Sequence, residues 1–287
     1  MNSTLLRDLL QTPASAEPWG DQLLDALSER KKKEVVFHDA DRTRLAELGP
    51  QNRELSGANR KYYAVTRAVR RYADAWILEK AKGRVFLDYA CGEGRAALLA
   101  SEVADLSIGL DISPASLDLA RNLANSSGAG EKLLFVQGDC EKTGLPDSCI
   151  DVVFCCGMLH HLDLSYAAPE LRRILKPGGR ILAMEALNYN PLFRLYRRLT
   201  PDLRTEFEKE HILSLKDLAF LGRFFTVRNV QYWHLATLLA TPFRRTAAFD
   251  SLLRLLDIVD KGMLRIPGLA QMAWMFTFEL EKRKEDS

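Results

Sequence analysis

The chain has 287 residues, of which 47% are hydrophobic and 27% charged, with 17 glycines and 11 prolines. This composition excludes the disordered and fibrous classes, and the length allows two domains of roughly 150 residues or one α/β domain with insertions. The formal net charge is +2, which is well below the excess of basic residues typical of a dedicated nucleic-acid binder. The charge therefore indicates no polyanionic partner.

The cysteines and apolar runs bear on the compartment. The five cysteines lie in apolar or motif-like stretches and form no CxxC pair of the kind used by zinc and redox sites. The N-terminus lacks a basic start followed by an apolar core, and no run of about 18 apolar residues occurs. We therefore expect a cytoplasmic protein without a membrane span.

The first 82 residues are predicted to be helical. Leucines recur at helical spacing before residue 60, and apolar residues continue the pattern over 59–82 until Gly83 ends it. We interpret the charged run over residues 30–34 as a solvated helix face. Residues 1–82 are assigned to an N-terminal helical cap region.

From residue 84 the apolar pattern alternates between short strand-like runs and helical ones. The strand candidates are RVFLDYA, DLSIGLD, KLLFVQGD, CIDVVFCC and GRILAMEAL. Ser113 and Pro114 open one intervening helix as its N-cap and first helical residue. Such alternation predicts an α/β fold with a doubly wound parallel sheet.

Beyond Glu185 the alternation becomes irregular. Two further strand candidates are FFTVRNVQYW and AWMFTFELE, and a long helical stretch over residues 235–271 is inserted before the second. We interpret the apolar residues of this insertion as ordinary helix packing. A substrate lid or a membrane-facing surface is the alternative.

The most informative stretch is LDYACGEGR, residues 87–95, where small residues follow a strand and lead into a helix. Gly92 and Gly94 let backbone N–H groups approach a ligand closely. With Ala97 they also fit the loose dinucleotide pattern Gly-x-Gly-x-x-Ala, which alone would suggest a nicotinamide-dependent oxidoreductase. Asp88 opposes that interpretation, because its carboxylate would repel a pyrophosphate and attract an ammonium or sulfonium ligand.

Two further carboxylates follow the next strands. Asp111 ends the second strand, about 20 residues after Asp88, at the spacing of a carboxylate that accepts both hydroxyls of a ribose. Asp139 follows the third strand, where it could accept from an adenine amino group. The structural alternatives are helix capping for Asp111 and a turn for Asp139.

These motifs, in this order, resemble the class I S-adenosylmethionine-dependent methyltransferases, in particular the branch that acts on small molecules. The resemblance is close over residues 84–186 and rests on LDYACGEGR, GLDIS, GDCEKTGLPDSCIDVVF, LHHL and LRRILKPGGRILAMEAL. Ala90 departs from the family pattern, which more often has its first glycine there.

The resemblance implies a seven-stranded Rossmann-like sheet with N-terminal helices and a helical insertion before the last strand. It implies a methyltransferase domain over residues 83–287, with a cofactor-binding core over 84–186. Substrate-side insertions are expected at 187–224 and 235–271.

The resemblance also implies S-adenosylmethionine as the cofactor. The residues implied around it, from the methionine part to the adenine, are Asp88, Ala90, Cys91, Gly92, Gly94, Cys155, Cys156, Asp111, Ile112, Asp139 and Cys140, with Tyr63 folded over the cofactor. For Tyr63 and its neighbour Tyr62, packing in a helix core is the alternative.

Three residues are candidates for catalysis. His160 and His161 follow the fourth strand and Glu185 lies near the end of the fifth, so a doubly wound sheet brings them to one crevice. O-methyltransferases that look like this sequence use a histidine base and an acid at these places, and a neutral imidazole can deprotonate a hydroxyl nucleophile. We favour His161 over His160 as the base, with a packed or hydrogen-bonded histidine as the structural alternative.

No metal site is predicted. The competing idea is a cluster of Cys155, Cys156, His160 and His161, but adjacent strand residues point to opposite faces.

Together these features indicate methylation of a small, partly apolar molecule at an oxygen of a sugar, polyketide, lipid-linked or other secondary metabolite. Peripheral contact with a membrane is left open. A non-catalytic cofactor-binding partner subunit is one alternative, since fold does not determine function. A nucleic-acid methyltransferase is another, disfavoured because CCGM at the end of the fourth strand contains no Asn-Pro-Pro-Tyr-like element and no Pro-Cys nucleophile.

Overall fold

Seven strands form one sheet in the computed structural model, which describes residues 2–11, 27–52, 60–200 and 205–284. The strands are β1 (Val85–Tyr89), β2 (Leu106–Asp111), β3 (Leu133–Gln137), β4 (Ile150–Cys156), β5 (Leu175–Ala186), β6 (Thr226–Trp233) and β7 (Met275–Glu281). Their order across the sheet is β3-β2-β1-β4-β5-β7-β6, with β7 antiparallel to both neighbours and the other pairs parallel. The predicted α/β sheet of seven strands is confirmed.

Helices lie on both faces of this sheet. In the described part of the chain they are α1 (Ser3–Gln11), α2 (Glu29–Asn52), α3 (Arg60–Tyr63), α4 (Arg67–Lys80), α5 (Arg95–Ser101), α6 (Pro114–Ser126), α7 (Leu164–Ile174), α8 (Pro191–Leu199), α9 (Glu206–Glu210), α10 (Leu215–Leu221) and α11 (Phe249–Met263). Short 3₁₀ segments occur at Leu159–His161, Thr237–Phe243 and Ala270–Met272. None of the described helices has the length and apolar character needed to cross a membrane.

Burial of the central strands explains their apolar runs. Every residue of β1 and β2 is buried, as expected for parallel strands covered on both faces, whereas the edge strand β3 is half-buried throughout. Because parallel strands point the same way, the loops that follow β1, β2 and β4 meet at the carboxyl edge of the sheet.

Two stretches that were predicted to be continuous helices are interrupted, so this part of the prediction is wrong. The helix expected over residues 59–82 is interrupted by a turn at 64–66 between α3 and α4. The stretch over 235–271 divides into a 3₁₀ segment that contains Pro242, then α11, then a second 3₁₀ turn after Gly268. Proline lacks an N–H donor, and Gly268 has a φ of 88°, so both positions break a regular helix.

Helix α2 packs across the carboxyl edge of the sheet. Its Lys31 pairs with Asp139, and Arg42 donates to the Ser116 hydroxyl at 3.4 Å. Glu34 is only 6% exposed. The interpretation of residues 30–34 as a solvated face is therefore wrong for the side of the helix that carries Lys31 and Glu34, because these groups find buried partners on the sheet edge.

Parts of the predicted organisation lie outside the described residues. These are the helical pattern around Leu23 and Leu24 and residues 201–204 of the first insertion. The division into a cap over 1–82 and a methyltransferase domain over 83–287 stays a prediction.

Gly94 gives a test of the packing between the loop after β1 and α6. Its φ is 75°, and a Cβ there would lie 2.8 Å from the Ala120 Cβ and 2.7 Å from the Phe135 ring. Gly128 has a φ of 66° but open space around it, so it is a matched control. Both substitutions by alanine carry left-handed strain, and only Gly94→Ala adds overpacking of about 1–3 kcal/mol.

We expect Gly94→Ala to lower the free energy of unfolding by about 1–3 kcal/mol more than Gly128→Ala, measured by urea denaturation. Equal losses in the two variants would contradict this packing.

Candidate active site

Asp88 is a buried carboxylate at the end of β1. Its side chain accepts a hydrogen bond from the backbone N–H of Ala97 at 3.0 Å. Burial raises the pKa of Asp88 to about 8; the Ala97 N–H opposes this shift and the neighbouring Asp111 carboxylate adds to it. Among the described residues no cationic group pairs with Asp88, so a positively charged ligand bound beside it would lower its pKa and favour the carboxylate form.

Asp111 ties the loop after β1 to the start of α6. Its Oδ2 accepts from the Gly92 N–H at 2.8 Å and its Oδ1 from the Ser113 N–H at 2.9 Å. The hydroxyl of Ser113 caps α6 by accepting from the Ser116 N–H at 3.0 Å. The helix thus has its own cap, and Asp111 holds the two loops together at the carboxyl edge.

Three alternate residues in the loop after β1 have the positive φ angles of the left-handed region. The φ angles are 58° at Ala90, 52° at Gly92 and 75° at Gly94. Ala90 takes this conformation although it has a side chain, which is strain of the kind that collects at functional sites. Among the described residues, a Cβ at Gly92 would come within 4 Å of the Arg42 guanidinium alone, at 3.5 Å, so the open side of the loop faces α2.

These features fit the predicted cofactor. Two buried carboxylates, Asp88 and Asp111, suit a cationic ligand with hydroxyl groups, and the open side of Gly92 leaves room for close approach of a backbone N–H.

Asp139 lies under α2 rather than in open solvent. Its Oδ1 accepts from the Glu141 N–H at 2.9 Å, which is the turn predicted as the alternative, while its Oδ2 faces Lys31. Lys31 also lies 2.8 Å from Glu141. Burial lowers the pKa of Lys31, but its hydrogen bonds to Asp139 and Glu141 outweigh that effect and leave the pKa raised.

The remaining predicted cofactor residues occupy different surroundings. Ile112 packs against Leu27 and Val35, below α2, and the carbonyl of Cys140 accepts from the Tyr89 hydroxyl. Cys91 and Cys155 are buried thiols, and burial raises the pKa of both. Cys156 is exposed at the end of β4.

Tyr63 packs against Trp274, next to the strand β7. It is 46% exposed, with its ring 5.7 Å from that of Trp274. Tyr62 joins the same aromatic cluster through Trp274 and Phe193. These contacts match the packing alternative, and a cofactor role for Tyr63 stays a prediction.

Glu185 is paired with His160. The carboxylate is fully buried on β5, and its Oε2 lies 2.8 Å from the Nδ1 of His160. Its Oε1 accepts from the N–H groups of Met158 and Leu159, each at 2.9 Å. Three contacts therefore fix this carboxylate beneath the 3₁₀ segment that follows β4.

His161, which the sequence favoured, has a different partner. Its Nδ1 lies 3.1 Å from Oε2 of Glu34 on α2, and its carbonyl accepts from Arg30 at 2.8 Å. Burial lowers the pKa of His161, and the neighbouring His160 lowers it further. Successive residues of a 3₁₀ helix point about a third of a turn apart, so only one histidine can face Glu185.

Helix α2 contributes side chains to the candidate site that sequence reasoning did not identify. Lys31, Glu34, His38 and Arg42 recur every three or four residues and so share one helix face. This spacing was visible in the sequence, but the charged composition suggested solvent. Glu208 on α9 was also missed, and its Oε1 lies 4.0 Å from the Nε2 of His160.

Comparison with known proteins identifies a methyltransferase domain in this chain. Residues 87–183 match a family model described as a methyltransferase domain. These residues form a domain of the class I S-adenosylmethionine-dependent methyltransferase kind. S-adenosylmethionine is the cofactor of this family, so the cofactor prediction is confirmed.

Two curated methyltransferases illustrate the relationship. A demethylmenaquinone methyltransferase of Thermus thermophilus is 36% identical over 40% of this chain and 53% of its own. A 27-O-demethylrifamycin SV methyltransferase of Amycolatopsis mediterranei is 30% identical over 41% of this chain and 43% of its own. This methyltransferase-family chain spans about half the length of the curated relatives it matches.

A solved methyltransferase shares the fold over more of the chain. It is the geranyl diphosphate C-methyltransferase of Streptomyces coelicolor A3(2), with a TM-score of 0.59 at 13% identity. The similarity covers 89% of this chain and 98% of that one. At such low identity it supports the methyltransferase fold alone.

The raised pKa of Asp88 predicts a pH dependence of stability without ligand. Its folded pKa of about 8 exceeds the unfolded value near 4, so the stabilisation is present below pH ~4 and is lost as pH rises to about 8. In that window one such group contributes a slope of about −1.4 kcal/mol per pH unit. Asp88→Asn removes this contribution.

We expect the free energy of unfolding, measured in urea from about pH 5 to 8, to fall more steeply in the wild type than in Asp88→Asn. Asp118→Asn, at a side chain that is 72% exposed, should keep the wild-type slope. Parallel curves for the wild type and Asp88→Asn would show that Asp88 is ionised throughout.

Proposed function

We propose that this protein transfers a methyl group from S-adenosylmethionine to a hydroxyl oxygen of a small, partly apolar acceptor, with His160 as the general base. The observation that carries this proposal is the buried contact between His160 and Glu185 at the carboxyl edge of the sheet. His160 replaces His161 as the preferred base because Glu185 lies against His160.

Glu185 favours one tautomer of His160. An ionised carboxylate accepts only, so the Nδ1 that faces it carries the proton and the Nε2 keeps its lone pair. That lone pair can take the proton of an acceptor hydroxyl. When bound, the cofactor supplies an electrophilic methyl group on a sulfonium.

Glu208 lies on the other side of the same imidazole. Its Oε1 is 4.0 Å from the Nε2 of His160, on a side chain that is 14% exposed. A second carboxylate at this distance would stabilise the imidazolium that forms when His160 accepts a proton.

The loops after β1 and β2 supply the cofactor side of the proposal. Asp88 would face the positively charged methionine part, and Asp111 the ribose hydroxyls. Asp139 and Ile112 would flank the adenine under α2. Support comes from the burial of both Asp88 and Asp111 and from the open side of Gly92.

Two observations support a small acceptor. The relatives named above act, by their names, on a demethylmenaquinone and a demethylrifamycin. An open cleft of about 650 Å³ between α2 and α9 falls within the size range of small-molecule sites, and charged and polar side chains form most of its lining. It is lined by Glu29, Arg30, Lys33, Glu34, Thr205, Glu206, Phe207 and Lys209.

Asp111→Ala tests the cofactor side. Loss of a charged hydrogen-bonding partner of the ribose should weaken binding of S-adenosylhomocysteine by about 1.5–3 kcal/mol, or roughly 10–100-fold. Titration calorimetry measures this change, with Asp118→Ala as the exposed control. An unchanged Kd for a folded Asp111→Ala variant would remove Asp111 from the cofactor site.

His160→Asn tests the base. Purified protein, S-adenosylmethionine and a panel of phenols, quinols and sugars are incubated together, and mass spectrometry identifies the acceptor that gains one methyl. With that acceptor, His160→Asn should lower kcat by about 10²–10⁴-fold and leave the Kd for S-adenosylhomocysteine unchanged. Glu185→Gln should also lower kcat.

Asp118→Asn is the control, because the Asp118 side chain is 72% exposed and pairs with Arg121 on the same helix, α6. Wild-type turnover by His160→Asn would refute the proposed base. Tight cofactor binding without any methylated product would favour the non-catalytic partner subunit.

A further inference from the structure

Three potential metal ligands lie close together beside the pair formed by His160 and Glu185. Glu34 and His38 lie four residues apart on α2, and His161 comes from the 3₁₀ segment after β4. The Glu34 Oε2 is 3.1 Å from the Nδ1 of His161 and 3.6 Å from the Nε2 of His38. One ligand atom from each residue lies within 4.8 Å of the other two.

The two separations from Glu34 are close to those between the ligand atoms of a coordinated ion. With metal–ligand bonds of about 2.0–2.2 Å in a tetrahedral arrangement, ligand atoms stand about 3.3–3.6 Å apart. Two of the three residues are held on one helix face by their spacing, so small side-chain rotations would bring all three onto one ion.

The electrostatic surroundings suit a cation. The Glu34 carboxylate is buried and lies against both imidazoles, so an ion there would meet one anionic oxygen ligand and two nitrogen ligands. Such ligands bind a metal in their deprotonated forms.

The nearby positive charges of α2 have partners. Arg30 pairs with Glu141, and Lys31 pairs with both Asp139 and Glu141. Arg42 lies 3.5 Å from Glu93. Their charges are thus compensated and do not oppose an ion at Glu34.

We propose that Glu34, His38 and His161 form a binding site for a divalent transition-metal ion of the Zn²⁺ class, which fastens α2 onto the carboxyl edge of the sheet. Two imidazoles and one carboxylate form a ligand set that Zn²⁺ uses when three protein groups bind it and a fourth position stays open. No metal was predicted from the sequence because the charged run of α2 was interpreted as a solvated face, which kept Glu34 and His38 apart from His161.

The ion would act on the neighbouring contacts of α2. The same helix carries Lys31 to Asp139 and Arg42 to the loop at Gly92. An ion bound at Glu34 and His38 would therefore slow the movement of α2 away from Asp139 and Gly92. This inference does not depend on the proposed methyl transfer, because metal binding is measured without turnover.

The test is a titration of the chelator-treated chain of 287 residues with Zn²⁺ alone. We expect the wild type to bind one ion per chain, and His38→Ala and Glu34→Gln to bind it more than about 100-fold more weakly, since loss of a group that only orients a metal ligand already costs about 10–100-fold. His211→Ala should bind like the wild type, because His211 contacts none of the three ligands. Zn²⁺ should also raise the Tm of the wild type and slow amide exchange in α2, with neither effect in His38→Ala.

Two results would overturn the proposal. One is a wild-type affinity for Zn²⁺ that Glu34→Gln and His38→Ala both retain. The other is a sulfur-to-metal charge-transfer band after loading with Co²⁺, which would place the ion on a thiol such as exposed Cys156. Far-ultraviolet circular dichroism checks that each variant is folded, and the near-isosteric Glu34→Gln keeps the test valid if His38→Ala fails to fold.

Discussion

The carboxylate of Asp111 is the junction on which the site depends. Its two oxygens receive the N–H groups of Gly92 and Ser113, so one buried side chain holds the left-handed loop after β1 against the start of α6. That junction sets the open side of Gly92 toward α2. It also positions Ser113, whose hydroxyl both caps α6 and contacts Asp39 of α2.

Helix α2 shows how charge can mislead when only sequence is read. Its run of lysines, arginines and glutamates has the composition of a solvated surface, yet one face meets a sheet edge of opposite charge. Burial of Glu34 and partial burial of Lys31 are tolerated because each has a charged or hydrogen-bonding partner across the interface. The pairing depends on the acidic residues after β3 and the histidines after β4, which are more than a hundred residues away in the chain.

The two adjacent histidines have different partners for a geometric reason. The sequence predicted both at the end of β4 and an acid on the next strand. It favoured His161, although neither composition nor spacing distinguishes the neighbours in LHHL. The 3₁₀ turn directs His160 down to Glu185 and His161 up to Glu34.

By itself, the sequence determined the order of strands and helices over residues 84–186, the carboxylates that end β1 and β2, and the N-cap at Ser113. Each is set by local periodicity or by a motif of a few residues, which needs no distant contact. Only the tertiary structure decided which histidine faces Glu185, where α3 and α11 begin and end, and that α2 covers the carboxyl edge. These features depend on contacts between residues far apart in the chain, and such pairings follow from packing and desolvation, which a local pattern does not contain.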